Sequence, residues 1–178
     1  MRHVSGGPII DRRLSIRVAT PEDRETVTRL LQRSYPALMA GSYEPAVLAA
    51  ALPLMTQANP ALLASGTFFV AVADSREVVG CGGWTPERPG RYAPVEAGLG
   101  HIRHFGVDPD WARQGVARAI MSMCIDSARQ RGIVRLRCLA SINAEKFYVS
   151  VGFVATGRRV VMLGNTILFP SVDMQWAI

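Results

Sequence analysis

The 178-residue sequence predicts an α/β single domain with a mixed central β-sheet flanked by about four helices. Three observations carry that prediction. Short apolar runs, alternating or continuous, are bounded by turn residues; two stretches space their apolar residues as a helix does; and the two kinds of element interleave along the chain. The length suits one domain. Hydrophobic residues at 49% against charged residues at 19% exclude a disordered or collagen-like chain.

Residues 1–13, with Gly6, Gly7 and Pro8, read as a flexible tail, and residues 14–178 as the folded domain. Leu14 to Val18 alternates apolar and polar residues, the pattern of a half-buried strand. Thr20-Pro21-Glu22-Asp23 follows as a helix start, and Val27, Leu30 and Leu31 give the helical spacing behind it. Glu44 to Met55 is a second helix, alanine-rich and opened by Pro45, while Asn59-Pro60 marks a turn. Phe68 to Ala73 and Val78 to Trp84 form a hairpin across Asp74–Glu77. Thr85 to Pro94, with three prolines, is a loop, and Leu99 to Val107 is a strand stopped by Asp108-Pro109. Gly115 to Arg131 is the clearest helix, with Ile120, Cys124 and Ala128 on one stripe and Gly132 at its stop. Strand Ile133–Ala140, short helix Ala144–Ser150 and strands Phe153–Met162 and Ile167–Trp176 complete the chain.

The net charge of +6 favours anionic partners. Its cations are 19 arginines and Lys146, scattered along the chain without interleaved aromatics, which counts against nucleic acid. Three cysteines with no C-x-x-C pair read as buried free thiols, with no disulfide or zinc framework. No apolar run approaches the roughly 20 residues of a membrane span, and Arg2, Arg12 and Arg13 have no apolar stretch between them to make a secretory signal. The expectation is a cytoplasmic protein without a membrane partner, a monomer or homodimer.

Two segments carry candidate chemistry. In Val107-Asp108-Pro109-Asp110-Trp111-Ala112-Arg113-Gln114-Gly115-Val116-Ala117-Arg118 a strand ends and a helix begins after a short loop. Helix N-termini expose unpaired N–H groups and the positive end of the helix dipole, which together receive a phosphate. Small residues at Gly115 and Ala117 admit an anion to the backbone, and Arg113 and Arg118 flank it. An ordinary strand–helix junction reads the same way. The second segment, Ser141 to Phe153, places Tyr148 on a short helix just before Gly152-Phe153; a tyrosine there also suits plain core packing.

Other constellations fail. Gly80-x-Gly82-Gly83 is followed by Thr85-Pro86 and not by a helix, so it is no dinucleotide fingerprint. His101-x-x-His104 on a strand points to opposite faces and cannot pinch a metal. No Gly-x-Ser-x-Gly elbow exists, and Met121 and Met123 read as core.

Taken together, the Val-x-Pro turn, the Gly115-Val116-Ala117 loop and Phe147-Tyr148-x-x-x-Gly152-Phe153 resemble the GCN5-related N-acetyltransferase (GNAT) superfamily in order and spacing, as does the strand Val79-Gly80-Cys81-Gly82-Gly83-Trp84. Two positions depart from that pattern. Ala112 stands where the family loop opens with Arg or Gln, and Ser141 stands where an asparagine is usual, with Asn143 two residues on. The resemblance implies a GNAT-like fold and an acetyl-CoA-dependent N-acetyltransferase acting by direct transfer on a primary amine of a small molecule. A peptide N-terminal acetyltransferase and a silent acyl-CoA-binding module are the alternatives.

It implies further that acetyl-CoA lies along the end of the strand at Phe105, Gly106 and Val107, whose N–H groups would polarise the thioester carbonyl. The pyrophosphate would sit on Arg113, Gln114, Gly115, Val116, Ala117 and Arg118, with Ser141 or Asn143 on the pantetheine. Tyr148 would be the general acid toward the departing thiolate. The first candidate for the base is His101, expected on the face of Phe105 and Val107 by period two; Glu96 is second and His104 third. The acceptor groove is expected from Tyr35 to Ala64, Thr85 to Glu96 and the last strands, with Glu44 and Glu96 the acids able to meet a cationic amine. No metal is implied.

Overall fold

The computed structural model describes residues 14–90 and 94–178; the expected tail, residues 1–13, lies outside the described residues. Seven strands form one sheet: β1 (Leu14–Val18), β2 (Phe68–Ala73), β3 (Val78–Thr85), β4 (Leu99–Val107), β5 (Arg135–Ser141), β6 (Val154–Leu163) and β7 (Ile167–Ala177). Their order across the sheet is β1-β2-β3-β4-β5-β7-β6. All neighbours run antiparallel except β4 and β5, which are parallel. The parallel pair needs a crossover, supplied by α4 (Val116–Gln130). The other helices are α1 (Arg24–Met39), α2 (Pro45–Met55), α3 (Pro60–Leu63) and α5 (Glu145–Val151). Residues 60–63, expected as a turn, make one helical turn whose first amide is held by Asn59 Oδ1 on Ala61 N–H at 2.9 Å.

The sheet buries both faces. On one side Val116, Ile120, Met121, Cys124 and Ala128 of α4 pack with Leu136, Cys138, Met174, Tyr148 and Phe153. On the other, Val27, Leu30, Leu31 and Tyr35 of α1 pack with α2, α3, Phe68, Val70, Cys81 and Phe169. Met121 is core as expected, but Met123 is 38% exposed, because it lies off the stripe that α4 turns toward the sheet. The three cysteines are free and buried. Among the described residues no helix is long and apolar enough to cross a membrane.

The glycines of β3 are there for close packing. A Cβ on Gly80 would meet Val116 Cγ1 at 2.5 Å, where α4 presses on the strand. A Cβ on Gly82 would lie 2.6 Å from the ring of Phe105, and one on Gly83 would lie 2.6 Å from Phe68 and the Thr67 carbonyl. Larger residues would push α4 or β4 off the sheet.

Candidate active site

Strand β4 positions the site. It pairs with β3 from Thr85↔His101 to Gly80↔Val107, but with β5 only at Leu99↔Arg135, Gly100↔Leu136 and His101↔Arg137. Beyond His101 the two parallel strands part. The β3–β4 register also slips between Cys81 and Gly83, where His104 takes a left-handed φ of 46°. This is a β-bulge, and it re-aims the residues on its far side. A Cβ on Gly100 would touch Leu136, Trp84 and Ile133 on the α4 side, whereas one on Gly106 would touch Leu31, Ser34 and Tyr35 on the α1 side. Residues of equal parity thus face opposite ways across the bulge. The expectation that His101 shares a face with Phe105 and Val107 is therefore corrected. His101 projects toward the α1 side, while Phe105 and Val107 join the α4-side core.

The junction after β4 is built to stay open. Asp108 Oδ1 accepts from Asp110 N–H at 2.9 Å and starts a 3₁₀ turn over Pro109–Trp111; Arg33 of α1 pairs with both acids, at 3.1 Å each. That offsets one of the two negative charges beside a place suited to an anion. Arg113 and Gly115 adopt positive φ, 62° and 85°, and a Cβ on Gly115 would meet nothing within 4 Å. The chain is therefore open beside Gly115, at the N-terminus of α4, where the first-turn amides have no acceptor within the helix. Two flanking side chains are already engaged: Gln114 donates to the Asp110 carbonyl at 2.8 Å, and Arg118 donates to Ser150 Oγ at 3.1 Å. Arg113 has no ion pair among the described residues.

Helix α5 brings Tyr148 to the parted flank. Gly152, at φ 122°, ends the helix while Phe153 N–H returns to the Tyr148 carbonyl at 3.0 Å. A Cβ on Gly152 would run 2.5 Å into Trp176, so the motif's glycine is required on two counts. Tyr148 is buried, edge-on to Phe147, Phe153 and Phe105 at centroid distances of 5.2, 5.3 and 6.3 Å. Burial, and then Cys138, Tyr35 and Cys124 nearby, push its phenol well above the usual value, so it holds its proton. The Tyr35 phenol, on α1, is likewise raised by burial.

Between β5 and α5, the two candidates for the pantetheine contact differ. Asn143 Oδ1 is buried and has no hydrogen-bond partner among the described residues, an unmet acceptor facing inward. The turn that carries Asn143 is held by Tyr43, whose hydroxyl accepts from Ile142 N–H at 2.8 Å and donates to the Pro170 carbonyl at 2.9 Å. Tyr43 stacks on Phe169 with centroids 4.4 Å apart. On β4, Val107 N–H donates to Ser34 Oγ at 3.1 Å.

The base candidates separate. His101 lies in a pocket where β4 leaves β5, beside Arg88, Arg137 and Cys138. Desolvation lowers its pKa below the usual 6.5, and Arg137, Arg88 and Arg103 lower it further against the opposing charge of Glu96, so the imidazole is neutral at pH 7. Glu96 is exposed and paired with Arg135. His104 faces Val27, Leu31, Leu62 and Phe68 on the α1 side, where burial brings its pKa down to about 4; the bulge thus puts it on the same side as His101, correcting the expectation of opposite faces. Glu44 sits at the start of α2. No group of three or more His, Cys, Asp or Glu side chains able to hold a metal occurs among the described residues.

Sequence reasoning missed Tyr43, Ser34 and an acid–base triad on the α1 side of the sheet. In that triad Asp173 accepts from Arg137 Nε at 2.8 Å and from Arg159 Nε at 2.7 Å. These pairings join residues 14 to 127 positions apart, and no local pattern announces them.

Comparison with known proteins agrees with this geometry. A GCN5-related N-acetyltransferase from Rhodopseudomonas palustris shares 21% identity and a TM-score of 0.73, covering 97% of this chain and 100% of that one. The PaiA N-acetyltransferase of Thermoplasma acidophilum, solved with coenzyme A, gives 16% identity and a TM-score of 0.68 over 93% of this chain and 99% of that one. The ribosomal-protein-S18-alanine N-acetyltransferase of Escherichia coli gives 19% and 0.61 over 93% and 94%. At these identities the likeness is one of fold. The family profile described as Acetyltransferase (GNAT) domain matches residues 46–177, most of the sequence, and the chain belongs to the GNAT acetyltransferase family.

Proposed function

We propose that this acetyltransferase takes acetyl-CoA as donor and acetylates a primary amine of a small molecule by direct transfer. The observation that carries the reading is the parted flank of β4. It offers an open cradle of amides at Gly115 on one end and the unmet Oδ1 of Asn143 across the gap. Both features fit a ligand with a diphosphate at one end and amide N–H groups along its length. When bound, acetyl-CoA supplies an acetyl group activated as a thioester.

In this reading the α4 first-turn amides and Arg113 hold the diphosphate, Gln114 and Arg118 serve by shaping the loop, and Asn143, in preference to Ser141, accepts from the pantetheine. Val107 N–H is spent on Ser34 and Gly106 N–H lies against Cys81 of β3, so of the three expected amides polarising the carbonyl falls to Phe105. His101 takes the proton that the ammonium must lose; as the tetrahedral adduct collapses, Tyr148 gives its phenolic proton to the departing sulfur, the nitrogen sheds its second proton to solvent, and solvent reprotonates Tyr148. The site that disfavours a phenolate by desolvation disfavours a thiolate too, so this transfer stays balanced. Recruitment of His101 from the α1 side suits an acceptor entering opposite α4.

The test is a melting curve followed by an acceptor screen read by thiol release. Acetyl-CoA at about 100 times its Kd should stabilise the fold by roughly 2.7 kcal/mol, and a small amine should then release thiol. No rise in melting temperature refutes the donor, and turnover of peptides alone refutes the acceptor class.

A further inference from the structure

We infer that the acceptor amine carries a carboxylate, received by Arg88 and Arg103 beside His101. The inference rests on the acetyl-transfer reading above and narrows its substrate class.

The pocket where β4 leaves β5 is walled by guanidinium groups. Arg137 borders it directly, held by Asp173, a carboxylate whose side chain is only 3% exposed. Arg159 shares that same carboxylate, so one acid serves two cations and the triad keeps a net positive charge. Arg88 lines the pocket from the β3–β4 loop with no hydrogen bond or ion pair among the described residues. Arg103, beside the pocket on β4, is partly buried and donates from Nη1 to Thr85 Oγ1 at 2.9 Å; no carboxylate lies in salt-bridge range of it among the described residues, and the acid that acts on it is the exposed Glu87. Burial of a guanidinium with no carboxylate in direct contact is costly, and the cost falls when one arrives.

The acids in the neighbourhood do not offset this. Glu96 is committed to Arg135, Glu145 to Arg158, and Asp173 to its two arginines. Glu87 acts on Arg103 from an exposed position without reaching salt-bridge distance, and its hydrogen bond with the Thr85 hydroxyl is made by its main-chain carbonyl. The electrostatic balance at His101 comes out the same way, because three arginines act on it against one acid. A polyamine or aminoglycoside would bring several positive charges into that field and would need carboxylates to receive them. An amine with its own carboxylate matches it: a guanidinium fork binds the carboxylate side-on, and the amine is left to face the neutral imidazole.

The experiment uses the full chain, acetyl-CoA and three kinds of acceptor: free amino acids, the corresponding primary amides, and spermidine. Thiol release is the readout. The amino acids should show kcat/KM at least about tenfold above their amides, although the less basic amine of the amide is the more easily deprotonated. Arg88→Gln, on an exposed loop position, should erase most of that preference through KM for the acid, leaving KM for the amide and for acetyl-CoA unchanged; Arg88→Lys should restore part of it. Arg103→Lys tests the partly buried cation in the same way. Equal use of acid and amide, preference for spermidine, no turnover of any amino acid, or an Arg88→Gln variant with the parent's preference each overturn the inference. A rise in melting temperature with acetyl-CoA, measured beside these assays, shows that such a failure lies in the acceptor class; its absence overturns the donor reading and this inference together.

Discussion

The two flanks of strand β4 have opposite fates. Toward β3 the strand is paired along its length, with one bulge, and its neighbours fill every space so tightly that Gly80, Gly82 and Gly83 admit no Cβ. Toward β5 it is paired over three residues, and then the backbone turns away from its neighbour. The paired flank is a wall, and the parted flank leads to what looks unfinished: Asn143 Oδ1 unmet and Gly115 facing free space. Unsatisfied polar groups are rare in folded chains because each costs on the order of 1–3 kcal/mol. The one such side-chain acceptor among the described residues, Asn143 Oδ1, is the group that the proposed donor would satisfy.

The strongest way to break the contrast is to close the open end. Gly115→Glu puts a side chain and a negative charge into the cradle at φ 85°, and should abolish the melting shift given by acetyl-CoA. Gly115→Ala is the control: its Cβ meets nothing within 4 Å, so binding should persist at a stability cost of roughly 1 kcal/mol from the backbone conformation. An acetyl-CoA shift that survives the glutamate would move the phosphate site elsewhere.

Next in size is Tyr148→Phe, which keeps the ring edge-on to Phe147 and Phe153 and removes only the hydroxyl. Turnover should drop roughly 10²-fold or more while acetyl-CoA affinity stays near the parent's. Equal turnover would return Tyr148 to plain core packing.

The pH profile sharpens the α1 side of the comparison. With its pKa depressed below 6.5, His101 is neutral above that value, so kcat/KM should be flat near pH 7 and fall as acid protonates the imidazole. The groups acting on it are Arg137, Arg88 and Arg103, which depress the value, and Glu96, which raises it. His101→Gln should lower activity about tenfold or more and erase that acid limb. A limb that persists unchanged would assign it to another group.

The smallest effect has two signs. Asn143→Leu removes an acceptor that is unmet in the free protein, so the melting temperature without ligand should hold or rise. Acetyl-CoA affinity should nonetheless fall about five- to tenfold, roughly 1–1.5 kcal/mol for a lost hydrogen bond. Loss of stability without loss of affinity would make Asn143 structural.

The alternation of β1, the stripe of α4 and the turn residues around the β2–β3 hairpin are local patterns, and the elements follow them closely. So does the Tyr148–Gly152–Phe153 spacing, because helix end and strand start are fixed within six residues. Four-residue α3 has no room for a period, and it reads as a turn. The bulge at His104 is the consequential loss: a histidine at φ 46° carries no glycine to signal it, and counting by twos across it assigns His101 to the wrong face. The Asp173 triad and the Tyr43 bridge depend on β5 lying against β7 and on α1–α2 reaching the β5–α5 turn. Such contacts exist only once the sheet order does. Arg88 and Arg137, equally, are two among 19 arginines until the fold brings them to one pocket.

The most direct trial is a crystal structure of this protein with coenzyme A. We expect the diphosphate on the amides of residues 113–118, and a pantetheine N–H within hydrogen-bond distance of Asn143 Oδ1 where β4 and β5 separate. Coenzyme A held at another surface, with that gap refilled by the protein's own side chains, would contradict the account.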